Sequence, residues 1–215
     1  MKPVSVAVLL VASLCSGCAH VGGFDYRRYY EHEPLMIVVL PAINSTTEAE
    51  ASRLFSSTIY YQLARRGYYV TPPELVSEVL AHEGVTDGAE LLDVDPGKFH
   101  RYFGADAVLF VRIYKWDTTY VVVSSSVTVG LEYVLVDARS GQILWKDRAE
   151  RTISSSSGGS GIGALIGAMV SAAVTAAAVD YVPLARQANQ EAFARLPVGR
   201  YHHEYEKIKA RLLED

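Results

Sequence analysis

The chain has 215 residues, which is long enough for one domain with a substantial hydrophobic core. It contains 20 lysine and arginine residues and 24 aspartate and glutamate residues, giving a formal net charge of −4. Because no lysine or arginine cluster runs along one face of a predicted element, the composition argues against a nucleic-acid partner.

The N-terminal residues 1–17 have the layout of a secretory signal peptide. Lys2 supplies a positive charge, residues 4–14 form an apolar run, and two small residues, Ser16 and Gly17, end the segment. The apolar run is shorter than the ~20 residues that a membrane-spanning helix needs. We therefore expect this segment to be removed from the mature protein.

Both cysteines of the chain, Cys15 and Cys18, lie at the end of this segment, and Cys18 resembles the modified cysteine of a bacterial lipobox. Cys15 stands where the usual motif has leucine. The resemblance implies cleavage before Cys18 and acyl chains such as palmitate on the new N-terminus. Ala19 replaces the aspartate that retains lipoproteins in the inner membrane, which implies an outer-membrane location with the body in the periplasm. Under the lipobox interpretation, residues 18–34 are the lipidated cysteine and its tether. The alternative is an ordinary signal peptide with a chance cysteine.

Two apolar runs, "LMIVVLP" (35–41) and "YYVTP" (68–72), predict the first two strands. Thr47 and Glu50 have the spacing of a capping box, and Gly67 is a natural helix terminator. Apolar residues at helical spacing lie between these signals: Ala51, Leu54, Phe55, Ile59 and Leu63. A strand, a helix and a strand in this order predict a right-handed βαβ unit with parallel strands.

Two more helices and an antiparallel meander are predicted to follow. Pro73 begins a helix that ends before Gly84, and a short helix after Pro96 ends at Gly104. From there, alternating apolar and polar residues predict three strands, at 105–116, 126–137 and 142–152. Residues 35–153 are thus predicted to form one α/β (α+β) domain with a mixed sheet and helices packed on it.

A polar segment, "SSSSGGSG" (154–161), predicts a flexible linker. The apolar stretch after it holds too many small residues for a transmembrane helix, so residues 162–196 are predicted to be C-terminal helices that pack on the domain or on a partner. Small residues recur there every four positions and form a candidate packing ridge: Gly163, Gly167, Ser171 and Thr175. Its neighbour could be the chain's own sheet, a second copy or a membrane-embedded partner. Residues 197–215 are a charged tail, predicted to be mobile or weakly helical.

Motifs for catalysis or cofactor binding are weak in this sequence. Gly159, Gly161 and Ala164 match a dinucleotide-binding pattern, but serines separate this loop from the preceding strand. His202 and His203 are adjacent, so their side chains point to different sides of a helix or strand, which disfavours a shared metal ion. We therefore expect no enzyme activity, no cofactor and no metal.

Several segments together resemble a family of bacterial lipoproteins that includes a genome-derived neisserial antigen lipoprotein. They are "IVVLP", "GYYVTP", "FGADAVLFVRI", "VVSSSVTV" and "VDARSGQILW", followed by the segment rich in serine, glycine and alanine. The resemblance covers the mature chain up to the tail. It implies a fold like the N-terminal domain of TolB and a gene neighbourhood that often includes a CsgG-like lipoprotein. No catalytic residues carry over, and Cys18 is the functional position that transfers.

These features favour a lipid-anchored, non-catalytic periplasmic module of an envelope transport, secretion or assembly complex. One alternative is an LpoB-like activator of peptidoglycan synthases, but a tether of residues 19–34 spans at most ~55 Å, which is short for crossing the wall. Others are a small-ligand or lipid carrier, an unrecognised hydrolase, and a homo-oligomer built through the packing ridge.

Overall fold

The computed structural model describes residues 26–121, 124–154 and 180–214. The helices of these residues are α1 (Tyr26–His32), α2 (Ala51–Arg65), α3 (Pro73–His82), α4 (Gly97–Phe103), α5 (Val182–Arg195) and α6 (Tyr205–Glu214), with a 3-10 turn at Gly88–Leu91. The strands are β1 (Met36–Val39), β2 (Ile43–Asn44), β3 (Tyr69–Val70), β4 (Ala107–Val121), β5 (Ser124–Asp137) and β6 (Ile143–Ser154).

The strands form one mixed sheet in the order β3-β1-β4-β5-β6, and β2 pairs with β4 beyond the end of β1. Strand β1 is parallel to both β3 and β4. Strand β5 is antiparallel to both β4 and β6. The predicted mixed sheet, with its N-terminal βαβ unit and C-terminal meander, is therefore confirmed.

Helices cover both faces of the sheet. The apolar sides of α1, α2, α5 and α6 join the strands in the main core on one face. Helix α3, the 3-10 turn and α4 pack on the other face, over β1 and β4. The chain thus changes face at the carboxyl ends of the neighbouring strands β1 and β3. Helix α2, which follows β1 and β2, lies on one face of the sheet, and helix α3, which follows β3, lies on the other.

A buried polar network connects three elements of the main core. Asn189 on α5 is 0 % exposed, and its Oδ1 accepts a hydrogen bond from the Tyr133 hydroxyl of β5 at 2.7 Å. Its Nδ2 donates to Thr58 Oγ1 of α2 at 2.8 Å. The Thr58 hydroxyl in turn donates to the Phe55 carbonyl at 2.6 Å. Each group is satisfied, so the network fixes how α2 and α5 sit on β5.

Helix α2 begins without the predicted capping box between Thr47 and Glu50. Glu50 is the N-cap residue, and its side chain makes no capping hydrogen bond. The side chain of Asn44 instead bonds the backbone of the loop before the helix, which leaves Thr47 outside the cap. A capping box does occur at Asp87 and Glu90, before the 3-10 turn.

The two ends of the described chain are more ordered than the sequence predicts. Residues Tyr26–His32, which fall in the predicted tether, form α1 and bury Tyr29 and Tyr30. Residues Tyr205–Glu214, which fall in the predicted tail, form α6. Each helix gains its stability from packing against the other, which local sequence signals do not report. Among the described helices, none combines the length and apolarity needed to cross a bilayer.

Candidate functional site

The predicted site residues lie outside the part of the chain that the structure describes. These are the lipidation residue and the packing ridge: Cys18, Gly163, Gly167, Ser171 and Thr175. They stay predictions. The structure does describe the place where the tether joins the body, at α1, and this junction is the candidate site.

Helix α1 is held against α6 by aromatic and charged contacts, which we call the clasp. The Tyr30 ring meets the rings of Tyr29 and Tyr205 edge-on, with centroids 5.3 and 6.1 Å apart. Glu33, just after α1, accepts hydrogen bonds from the Tyr205 hydroxyl at 2.8 Å and from Lys209 Nζ. The bond from Lys209 lowers the pKa of Glu33. The start and end of the described chain are therefore held together.

Buried tyrosines continue this clasp into the core. The hydroxyl of Tyr29 bonds that of Tyr68, which donates to the Pro197 carbonyl. Burial raises the pKa of both phenols well above the ordinary value, and it raises the pKa of Tyr30 to about 12. These hydroxyls stay protonated at neutral pH. Those of Tyr29 and Tyr68 act as structural hydrogen-bonding groups, whereas the Tyr30 hydroxyl is buried without a partner among the described residues.

Two glycines let the segment before α6 approach the end of α2. Gly199 N donates to the Arg66 carbonyl at 2.8 Å, and Tyr201 N donates to the Gly67 carbonyl at 3.1 Å. A Cβ atom on Gly199 would lie 2.4 Å from the Gly67 carbonyl oxygen. The close backbone contact places α6 beside Arg66.

A cleft of about 530 Å³ opens between α1, α5, α6 and β6; we call it the basic cleft. Its apolar wall includes Trp145 of β6, Leu196 after α5, and Ile208 and Leu212 of α6. Tyr26, the first residue of α1, lies at its edge. The cleft is therefore built from the two ends of the described chain and the edge strand of the sheet.

Cationic side chains outnumber acidic ones along the cleft. Arg195 binds Asp147 through two hydrogen bonds, Nε to Oδ2 at 2.7 Å and Nη2 to Oδ1 at 2.9 Å. These bonds neutralise Asp147, which is the acidic residue among the described lining residues, and they raise the pKa of Arg195. Lys146 and Arg211 are exposed and have no acidic partner among the described residues.

Arg66 adds a partly buried charge behind these exposed groups. Its Nη2 donates to the Leu196 carbonyl, while its Nε is buried and has no hydrogen-bond partner. Burial lowers the pKa of Arg66 because it disfavours the charged form. No carboxylate of the described chain forms an ion pair with it, so the cleft has an excess of positive charge.

A second cavity, of about 490 Å³, lies at the carboxyl end of β1 between α2 and α3. Several of its polar groups are already engaged by the protein. Ser52 donates to the Ala42 carbonyl at 3.0 Å, Ser56 donates to the Arg53 carbonyl at 2.8 Å, and Arg53 pairs with Glu50. This crevice therefore offers a ligand mainly apolar contact.

Metal binding has no support in the described residues. They contain no group of three or more His, Cys, Asp or Glu side chains that could hold an ion. The rings of His202 and His203 stack with centroids 4.6 Å apart, and His202 Nδ1 accepts a hydrogen bond from Glu204 N at 3.2 Å. Burial, followed by the neighbouring His203, lowers the pKa of His202.

Comparison with known proteins identifies the family. A family model described as "Putative lipoprotein GNA1162-like" matches residues 24–200. The chain belongs to this family. The protein named "Putative lipoprotein NMB1124/NMB1162" of Neisseria meningitidis serogroup B is 33 % identical over 168 residues, covering 77 % of this chain and 78 % of that protein.

The solved structure of a related lipoprotein agrees with this assignment. The crystal structure of lipoprotein GNA1162 from Neisseria meningitidis matches with a TM-score of 0.53 and 35 % identity, over 66 % of this chain and 96 % of that one. The TolB-like class of fold that the family resemblance implies is confirmed. A PelC dodecamer from Paraburkholderia phytofirmans matches with a TM-score of 0.48 and 16 % identity, over 78 % of this chain and 91 % of that one.

Proposed function

We propose that this GNA1162-like chain is a lipid-anchored, non-catalytic periplasmic module of an envelope transport, secretion or assembly complex. Cys18 carries the lipid in the outer membrane, and the body faces the periplasm. A CsgG-like lipoprotein is the partner that the family resemblance implies. Membership of a lipoprotein family supports the anchored location. The structural observation that carries the proposal is the docking of α1 so soon after Cys18.

This docking shortens the tether. Residues 19–25 separate Cys18 from α1, and seven residues span at most about 25 Å. The body is therefore held beside the leaflet that contains the acyl chains. Such a short tether argues for a partner at the membrane surface and against an LpoB-like activator that must cross the wall.

The polar groups of the candidate site support a non-catalytic role. The tyrosine hydroxyls are held protonated by burial, Asp147 is bound by Arg195, and Glu33 is bound by Tyr205 and Lys209. A general base or nucleophile needs a free, suitably poised group. Here the named groups hold the fold together.

The anchoring step is tested by labelling cells with a fatty-acid analogue. We expect label on the wild-type chain and none on Cys18→Ser, because only the mature N-terminal sulfur accepts the diacylglycerol. Cys15→Leu is the matched control, since it removes the other cysteine, restores the usual lipobox residue and leaves Cys18 in place. Equal labelling of Cys18→Ser and the wild type would refute the lipid anchor.

The partner is tested by crosslinking in intact cells. An envelope protein, a CsgG-like lipoprotein above all, should be recovered with the wild-type chain and lost when the anchor is removed. The predicted packing ridge is tested in the same samples with Gly163→Leu and Gly167→Leu, which should change the oligomeric mass if the ridge joins two copies. Recovery of no specific envelope protein would count against the complex.

The crevice at the carboxyl end of β1 favours a second candidate function, the carriage of a small apolar ligand. Open α/β sheets commonly bind ligands where the chain changes face, and a volume of about 490 Å³ is in the usual range for such ligands. Mass spectrometry of protein purified from native envelopes should then find a bound small molecule. Ala81→Trp, at the lining of the crevice, should abolish its recovery.

A further inference from the structure

The basic cleft opens beside the point where the tether joins the body. Tyr26 is both the first residue that the structure describes and a lining residue of the cleft. With Cys18 anchored as proposed above, on which this inference rests, the cleft edge lies within about 25 Å of the lipid headgroups. A ligand of the cleft is therefore most easily drawn from the membrane itself.

The charge of the cleft suits an anionic group. Asp147 is neutralised by Arg195, so Arg66, Lys146 and Arg211 are left without an acidic partner among the described residues. The protein as a whole is acidic, with a net charge of −4, which makes this local excess of positive charge a distinct feature. An anion bound there would offset the cost of holding the Arg66 charge partly buried.

The same cleft has an apolar wall, made by Trp145, Ile208 and Leu212 among others. An inorganic anion would use only the cations, whereas an amphiphile would also cover the apolar wall. The combination of unpaired cations, an apolar wall and a nearby anchor therefore selects a lipid over a free ion.

We propose that the basic cleft binds the phosphate group of an anionic phospholipid from the leaflet that holds the anchor. Arg211 contacts the phosphate, and the half-buried Arg66 supplies positive charge behind it. The glycerol and the first methylene groups of the lipid lie against Ile208 and Leu212 of α6, which are half-buried lining residues. This second contact orients the body, with α6 and β6 toward the membrane and with α3 and α4 away from it.

The test uses the full acylated chain in phosphatidylcholine nanodiscs that contain a small fraction of a photoactivatable lipid. Phosphatidylglycerol and phosphatidylcholine with the same reactive acyl chain are compared. We expect phosphatidylglycerol to crosslink about tenfold more, on peptides of α6 and around Trp145, because two unpaired cations favour the anionic headgroup. The preference should fall in about 0.5 M salt, since the cleft is open to solvent.

The charge requirement is tested with Arg211→Gln. The Arg211 side chain makes no ion pair in the described structure, so the variant should fold normally and lower phosphatidylglycerol crosslinking toward the phosphatidylcholine level. The matched control is Arg101→Gln on α4, where the residue is exposed and lies on the opposite face of the sheet. Equal crosslinking by the two lipids, or an unchanged preference in the cleft variant, overturns the proposal.

Two further measurements show whether the ligand comes from the membrane and whether a negative result concerns the cleft or the lipid anchor. Glycerol phosphate at millimolar concentration should leave the crosslinking largely intact, and complete competition would overturn the membrane source of the ligand. The intact mass of the chain in the same sample reports its acylation. An acylated chain without lipid preference overturns the cleft proposal alone, whereas an unacylated chain that still prefers phosphatidylglycerol overturns the anchor alone.

Discussion

Replacing Asn189 with alanine should be among the most damaging single changes in this fold. The change removes two buried hydrogen bonds, to Tyr133 and to Thr58, each worth about 1 kcal/mol net. It also leaves the Tyr133 hydroxyl, 1 % exposed as a residue, without an acceptor, which adds about 1 kcal/mol or more. The Thr58 hydroxyl still donates to the Phe55 carbonyl, so it keeps one of its hydrogen bonds and its loss costs less than that of the Tyr133 hydroxyl. The expected cost is therefore about 3 kcal/mol, out of a total stability of about 5–15 kcal/mol.

A double-mutant cycle with Tyr133→Phe separates the hydrogen bond from the general loss of packing. Tyr133→Phe alone leaves Asn189 Oδ1 without its donor, at a cost of about 1.5 kcal/mol. The double variant has neither the unpaired hydroxyl nor the unpaired amide oxygen. It should therefore cost about 1–2 kcal/mol less than the sum of the two single changes.

Urea unfolding followed by circular dichroism measures these differences as shifts of the midpoint at constant slope. Gln190→Ala is the matched control, because Gln190 is the exposed neighbour on α5 and should change stability by less than about 0.5 kcal/mol. The reasoning fails if Asn189→Ala costs no more than this control. It also fails if the two single effects add within about 0.5 kcal/mol.

Further changes test the clasp and the close backbone contact. Glu33 has a lowered folded-state pKa, so its bond to Lys209 stabilises the protein above the unfolded pKa of about 4.3 and is lost as the pH falls through the folded pKa. Glu33→Gln should therefore destabilise by at most about 1 kcal/mol at pH 7, and the difference from wild type should shrink in unfolding curves as the pH falls below the unfolded pKa. Gly199→Ala should cost about 2–3 kcal/mol in urea unfolding, since its Cβ would meet the Gly67 carbonyl. Gly84→Ala, at φ +86 with nothing within 4 Å, should cost only about 1 kcal/mol, and an equal loss in the two variants would contradict the steric explanation.

Local signals predicted those parts of the fold that local physics determines. Gly67 and Gly104 end helices with φ of +84 and +70, as their positions after apolar periodic segments indicated. The turn before β6 could likewise be predicted from the local sequence. Asp137 Oδ1 accepts hydrogen bonds from Arg139 N and Ser140 N, and Gly141 takes a φ of +70. In each case the deciding contact lies within a few residues of the signal.

The parts that sequence reasoning missed depend on distant contacts. Helix α1 has seven residues, too few to be stable alone, and it forms because Tyr29 meets Tyr68 and Tyr30 meets Tyr205. The basic cleft also depends on distant contacts, because Arg66 at the end of α2 lines it together with Arg211, which lies far away in sequence. A signal was present in the unusual density of tyrosine and arginine at 26–30, but only the fold shows what it contacts.

The short tether and the cleft reinforce one another. A site that contacts one headgroup through one exposed and one half-buried cation binds weakly, and a Kd of about 1 mM corresponds to about 4 kcal/mol. A tether of residues 19–25 makes this binding intramolecular, and effective concentrations for short linkers reach the millimolar range, enough to fill such a site. Inserting about 20 glycine and serine residues after Gly23 should lower phosphatidylglycerol crosslinking by roughly sevenfold, because local concentration falls as the −3/2 power of linker length. The same insertion after Asp93, in the exposed loop before α4 on the opposite face of the sheet, is the control. If the longer tether changed neither the crosslinking nor its lipid preference, the cleft would be binding from solution and not from the leaflet beside its anchor.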